Sequence, residues 1–236
     1  ADIIDVGAES SRPGARPVSV NEELDRLLPV LHGLRAAPVP LSVDTVKPAV
    51  MRVSIQEGAS FINDINALRA DGAIEVVAAS TAGICFMHMK GHPGNMQESP
   101  TYADVVAEVA QFLSARVEAA LASGIDRDRI SVDPGFGFGK TAAHNMQILR
   151  ELGKIGAIGQ PVVFGASRKS TLGAVTGREV TRREPASIAA AVLAIERGAS
   201  MVRVHDVAAT RDAIAVWQAM RGKTMNPTND IVREVL

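Results

Sequence analysis

Short apolar runs recur along this chain, each separated from the next by a longer amphipathic segment, and that alternation leaves few folds open. The runs are Ile3–Val6, Leu41–Val43, Ser60–Ile62, Ile84–Met87, Ile130–Val132, Val162–Phe164 and Met201–Val204. Runs this short suit strands covered on both faces, as in a parallel sheet. The segments between them carry helix signals. Leu24, Leu27, Leu28, Leu31 and Leu34 form a stripe at helical spacing, and Ser19 stands three residues before Glu22 as in a capping box. Pro29 predicts a kink in that helix or a later start. Tyr102–Ser123 repeats the pattern with Val105, Val109, Phe112 and Val117 and stops at Gly124, and Ser187–Arg197 does so before Gly198.

Repeated β-then-α units with right-handed crossovers give a doubly wound sheet or a barrel. Seven units favour a (β/α)8 barrel, the TIM barrel, with its first strand and helix absent from the chain as it stands. A length of 236 residues suits one such domain. We read residues 1–221 as that domain and 222–236, which are polar, as a C-terminal extension.

Composition excludes several classes of function. Apolar residues make up 47% and charged residues 22%, enough for a large core and against disorder. A net charge of -1 argues against nucleic acid, whose phosphates demand a basic face. No apolar stretch approaches the roughly 20 residues of a membrane-spanning helix, and no signal peptide is visible. The lone cysteine, Cys85, lies in an apolar run and reads as a buried structural thiol. A cytoplasmic setting is the expectation.

Catalytic groups of such barrels sit where strands run out at their C-terminal ends. Each strand here runs out in polar chemistry. The first leads from Asp5 to Glu9, Ser10, Ser11 and Arg12; the second ends in Asp44 and Thr45, the third in Asn63 and Asp64. The fourth ends in His88, the fifth in Asp133, the sixth in Ser167, Arg168, Lys169 and Ser170, and the last in Arg203, His205 and Asp206. One such residue is ordinary, because turns favour Asp and Asn. Seven in succession, with both signs of charge, mark a site.

Two motifs invite readings that fail. Gly135-Phe136-Gly137-Phe138-Gly139-Lys140-Thr141 is not a P-loop, because Pro134 occupies the position of the first glycine, and Lys140 spoils the dinucleotide pattern. What remains is a glycine-rich loop closing over a flat ligand, with Phe138 as a stacking face. His88 and His92 have metal-ligand spacing for a helix, but Gly91 and Pro93 argue against a helix there. By contrast, Arg203 and His205 alternate with Val202 and Val204, so on a strand they share one face and together favour an anion such as phosphate. Lys169 opens a helix whose first N–H groups also attract an anion.

The stretches DIIDVGAESSRPGA, SVDT, FINDI, FMHMKG, VDPGFGFGKT, ASRKS and MVRVHDV make the chain resemble dihydropteroate synthase over nearly all of its length. The resemblance implies condensation of 6-hydroxymethyl-7,8-dihydropterin pyrophosphate with 4-aminobenzoate, giving 7,8-dihydropteroate and pyrophosphate for folate synthesis. It implies Asp44, Asn63, Met87, Asp133, Gly165 and Lys169 as pterin ligands. Arg12, Asn63, Arg203 and His205 would take the pyrophosphate. Ser11, Arg12, Pro13, Phe138, Lys169 and Ser170 would shape the 4-aminobenzoate pocket that sulfonamides also occupy. Asp44, Asp133, Lys169 and Arg203 would carry the chemistry. It further implies Mg²⁺, held mainly by the substrate pyrophosphate and by a loop that the chain lacks, and a homodimer through helices of the last units. The family's Gly-Gly-Glu-Ser-Thr-Arg is here Gly7-Ala8-Glu9-Ser10-Ser11-Arg12, which keeps a hydroxyl at Ser11. Two other readings of the barrel are a pterin-dependent methyltransferase and a catalytically silent pterin-binding paralogue. The methyltransferase has no use for a pyrophosphate pocket, so Arg12, Arg203 and His205 favour the synthase.

Overall fold

A computed structural model describes residues 1–222; the sequence-predicted C-terminal extension lies, beyond Gly222, outside the described residues. All seven expected strands form, and they run parallel in chain order. They are β1 (Ile4–Gly7), β2 (Leu41–Asp44), β3 (Phe61–Asp64), β4 (Gly83–Met87), β5 (Ile130–Asp133), β6 (Val163–Phe164) and β7 (Met201–Val202). The first five share one sheet, β6 pairs with β7, and a parallel bridge between Val132 and Val162 joins the two. Bonds from Arg203, just past β7, to Asp5 on β1 and Asp44 on β2 bring the last strand back to the first. The sheet therefore curls into a barrel.

Nine α-helices among the described residues pack outside it: α1 (Val20–Leu34), α2 (Pro48–Gln56), α3 (Ala73–Ala78), α4 (Val105–Ala122), α5 (Ala142–Arg150), α6 (Leu152–Gly156), α7 (Ser170–Thr176), α8 (Glu184–Glu196) and α9 (Val207–Met220). Their starts follow local chemistry. Ser19 accepts a bond from the Glu22 amide and opens α1, while the Asp104 carboxylate accepts from Val106 and Ala107 and opens α4. Only half of the expected capping box forms at α1, because the Glu22 carboxylate turns to Arg26. Pro29 neither ends nor delays α1; it is exposed, and the helix runs through it to Leu34. Helix α8 starts at Glu184, earlier than Ser187, with Pro185 in its first turn, where a missing N–H costs nothing. Gly124 ends α4 at a φ of 86°, a conformation that favours glycine.

Period-two alternation divides each strand. Leu41, Val43, Ile62, Ile84, Phe86, Ile130, Val132, Val162 and Phe164 belong to the core between sheet and helices. The intervening residues face the barrel interior and are largely polar or small: Asp5, Ser42, Asp44, Asn63, Cys85, Ser131 and Asp133. The inward faces of β1, β2, β3 and β5 thus carry polar groups, where the short apolar runs suited strands covered on both faces. Phe61 fills the lower interior, and a Cβ on Gly83 would lie 2.5 Å from its ring.

The same core sorts the leucine stripe of α1. Leu27 and Leu31 are buried at 1% exposure, Leu24 and Leu34 pack against them, and Leu28 stays outside that core. Leu31→Ala should cost about 2–5 kcal/mol of unfolding free energy in urea titration. Leu28→Ala should cost less than about 1 kcal/mol, and equal losses would mean that the face is wrongly assigned.

Candidate functional site

The register places the polar strand ends side by side. Asp44 pairs with Asn63 across β2 and β3, and Met87 pairs with Asp133 across β4 and β5. Gly165 continues beyond β6, and a Cβ there would touch the Arg203 Cβ at 3.6 Å and the Lys169 Nζ at 3.9 Å. Arg203 grips two carboxylates. Its Nε donates to Asp5 Oδ2 at 2.6 Å and its Nη2 to Asp44 Oδ2 at 3.3 Å. Lys169 caps α7 and donates to the Phe136 carbonyl at 2.6 Å, with its Nζ 4.6 Å above the Phe138 ring. Asp133 accepts from the Gly135 amide at 2.6 Å. Asp44, Asn63, Asp133, Gly165, Lys169 and Arg203 therefore converge at one mouth.

Crowding of these charges inside the barrel shifts their titration. Burial, then the neighbouring Asp5, raises the Asp44 carboxyl to about 7, against the opposing pull of Arg203. Burial also raises Asp133, with Lys169 opposing it. Burial lowers Lys169 to about 8, with Asp133 opposing it. The arrangement keeps carboxylates and cations in near balance only while each has its partner.

Beside this polar half lies an apolar one. Met87 packs with Ile65, Met89 and Met96, and Val46 and Phe138 lie against them. Phe138 is half-buried and offers a face to a flat ring, with the buried Met87 in the cluster it packs against.

The anion side is built differently from the expectation. β7 ends at Val202, because Arg203 makes the last ladder bond, to the Phe164 carbonyl, before the chain turns into α9. Arg203 and His205 therefore lie past the strand rather than on it. The His205 amide donates to Ser167 Oγ at 3.2 Å, and its Nδ1 lies 2.9 Å from the same oxygen. The hydroxyl either donates to Nδ1 or accepts from it, and in both cases the contact fixes the position of the ring. Burial, Arg168 and Arg203 lower the imidazole pKa, which favours the neutral ring over a second cation. Arg12 lies within electrostatic reach of it. Arg12 and Pro13 are exposed and line a cleft between their loop and the start of α1, with Ser11 half-buried beside them. Both ends of this loop are tied by Glu9, which pairs with Lys47 and accepts from the Val18 amide at 3.0 Å. Lys47 also pairs with the fully buried Glu23, which accepts from Thr45 at 2.6 Å.

Several strand-end residues do not reach the mouth. Asp64 faces the helices and accepts from the Asn66 and Leu68 amides at 2.7 Å each. It stabilises a turn in which Ala67 and Leu68 have φ of 54° and 52°. His88 is buried against Phe112, and Arg168 pairs with Asp206. Ser170, by contrast, opens α7 next to Lys169 and is exposed at the rim.

The glycine-rich loop is stapled from below by Lys140, a residue whose role only the structure reveals. Its buried Nζ donates to the Gly135 and Phe138 carbonyls at 3.0 Å each and meets His88 Nδ1 at 2.9 Å. A Cβ on Gly135, at φ 69°, would lie 1.8 Å from the His88 carbonyl oxygen. Gln97 and Tyr102 donate to the Gly137 and Gly139 carbonyls at 2.7 Å each, and Asn145 ties the Gly137 amide to Thr171. In sequence Asp5 stands only among the polar residues of the first strand, and Ser42 carries no role. Their signal was a carboxylate and a hydroxyl at interior-facing positions of apolar strands.

The family model described as pterin binding enzyme matches residues 1–205. Dihydropteroate synthase of Neisseria meningitidis serogroup C is 47% identical over 224 residues, which is 93% of this chain and 79% of that protein. The solved structure of Yersinia pestis dihydropteroate synthase with a sulfonamide drug complex superposes with a TM-score of 0.92 at 43% identity, covering 94% of this chain and 81% of that one. Xanthomonas albilineans dihydropteroate synthase with 4-aminobenzoic acid superposes with a TM-score of 0.90 at 50% identity, covering 94% and 80%. With the barrel, the mouth and these likenesses in agreement, the chain belongs to the dihydropteroate synthases of the pterin-binding enzyme family.

Proposed function

We propose that the chain condenses 6-hydroxymethyl-7,8-dihydropterin pyrophosphate with 4-aminobenzoate to give 7,8-dihydropteroate and pyrophosphate. One observation carries the reading: Asp44, Asn63 and Asp133 gather acceptors at one mouth, beside Lys169 and an Arg203 that only carboxylates hold in place. A nitrogen-rich heterocycle supplies the N–H donors that such acceptors want. An anionic tail supplies the partner that Arg203 gains on leaving Asp44.

In the reaction, the methylene C–O bond breaks with its electron pair leaving on pyrophosphate. The lone pair of the aniline nitrogen forms the new C–N bond, and that nitrogen then loses a proton to water. Positive charge developing on the methylene spreads into the pterin ring. The Asp44 and Asp133 carboxylates and the Asn63 carbonyl stabilise it from fixed positions. Arg203 and Arg12 take charge on the departing pyrophosphate, with His205 beside them. Met87 and Phe138 supply apolar faces. Ser11, Pro13, Phe138, Lys169 and Ser170 form the 4-aminobenzoate side, for which sulfonamides compete. The aniline nitrogen is neutral at physiological pH, so no strong base is required.

Among the described residues no three His, Cys, Asp or Glu side chains gather to hold a metal. Asp5 and Asp44 are engaged by Arg203. Mg²⁺ therefore enters this reading as the counter-ion of the substrate pyrophosphate.

Incubating the chain with both substrates and Mg²⁺ should yield dihydropteroate, followed by chromatography; pterin binding without product would return the silent-paralogue reading. Arg203→Ala should weaken pterin pyrophosphate by about tenfold or more while changing the pterin alcohol far less, as read by calorimetry. Equal loss of both ligands would remove the phosphate assignment. The pH profile follows from Asp44. Its carboxylate form accepts the pterin N–H groups, and its pKa is raised to about 7. Affinity for the pterin alcohol should thus fall about tenfold per pH unit below about 7 and level off above it. In Asp44→Asn that slope should vanish.

A further inference from the structure

Arg203 rests on two carboxylates that differ in kind. Asp44 stands at the strand end, at the mouth. Asp5 lies in the middle of β1, between the outward-facing Ile4 and Val6, and is mostly buried. Its second oxygen accepts from the Ser42 hydroxyl at 2.5 Å, which fixes the carboxylate plane from the neighbouring strand. A carboxylate is costly at such a position unless a cation satisfies it, and Arg203 is that cation. The two bonds are unequal as well. The Nε–Asp5 contact is 2.6 Å, and the Nη2–Asp44 contact is 3.3 Å.

We propose that Asp5 is a positioning residue for Arg203, the pivot on which the guanidinium turns from Asp44 toward the leaving group. The proposal rests on the reading of Arg203 as a pyrophosphate ligand. Pterin binding recruits the Asp44 carboxylate, so the long Nη2 bond breaks. The Nε edge stays on Asp5, because that bond is the shorter of the two and its carboxylate is anchored by Ser42. A planar guanidinium held by one edge presents its remaining N–H groups in a fixed direction. Without that hold, the half-exposed Arg203 side chain would have to be ordered again at each binding event. Asp5 also joins β1 to β7 electrostatically, so the same bond that closes the barrel aims the anion-binding group.

The test compares the pterin pyrophosphate with the pterin alcohol by calorimetry on Asp5→Asn, Ser42→Ala and Arg203→Ala. Asp5→Asn keeps the shape and the Ser42 contact but loses the charge. It should raise the Kd of the pyrophosphate about tenfold and that of the alcohol less than about twofold. Ser42→Ala should move the same ratio in the same direction by about threefold, and it serves in place of Asp5→Asn if that variant does not fold. A merely structural role would weaken both ligands alike, and that outcome overturns the proposal. So does an unchanged or reversed ratio beside an Arg203→Ala that still discriminates. If Arg203→Ala itself fails to discriminate, the pyrophosphate reading falls, and the pivot falls with it.

Discussion

A strand that packs helices against one face has only its other face to give to chemistry, and this protein is built on that division. Leu41, Val43, Ile62, Ile84, Phe86, Ile130, Val132 and Phe164 carry the hydrophobic effect outward, into the layer between sheet and helices. The inward positions are thereby released from packing duty. Besides Cys85 they hold Asp5, Ser42, Asp44, Asn63, Ser131 and Asp133, polar residues that a conventional core would reject. The barrel tolerates them because partners are at hand: Ser42 donates to Asp5, Arg203 to Asp5 and Asp44, the Gly135 amide to Asp133, and Ser131 to the Ile84 carbonyl. The mouth is the last layer of that polar interior.

Neutralisation then governs the site. Three carboxylates, Asp5, Asp44 and Asp133, face Arg203 and Lys169 in a confined space. Burial raises Asp44 and Asp133 and lowers Lys169, so each charge depends on its neighbours. Such a site is ready to exchange internal partners for a ligand that brings N–H groups at one end and negative charge at the other. Arg203 is the moving part and Asp5 its fixed point, while Asp44 serves as a partner that a ligand can displace.

Loops are held to the mouth by cations placed beneath them. Lys140 gathers the carbonyls of Gly135 and Phe138 under the glycine-rich loop. Burial lowers its pKa to about 7, with Asp133 opposing the shift. Lys47 joins Glu9 to Glu23 under the loop that carries Ser11, Arg12 and Pro13. In both cases a lysine, buried at Lys140 and half-buried at Lys47, orders backbone that would otherwise be free, so Phe138 and Lys169 sit on a supported surface.

By itself the chain determined its periodicity. Apolar runs at seven places, the leucine stripe of α1 and the stops at Gly124 and Gly198 follow from local rules that need no partner, and so does the placing of polar groups at strand ends. Which of those groups meet was decided by tertiary structure. Asp64 and Asp44 end neighbouring strands in the same way, yet they face opposite sides, since one residue of register reverses the side chain. His88 turned outward to Lys140 for the same reason. The lowered His205 and the raised Asp44 arise from burial and from charges distant in sequence, such as Arg203 beside Asp5. The pairing of Asp5 with Arg203 joins the two ends of the described chain. Nothing local encodes it, because it exists only when the sheet has curled far enough for the last strand to reach the first.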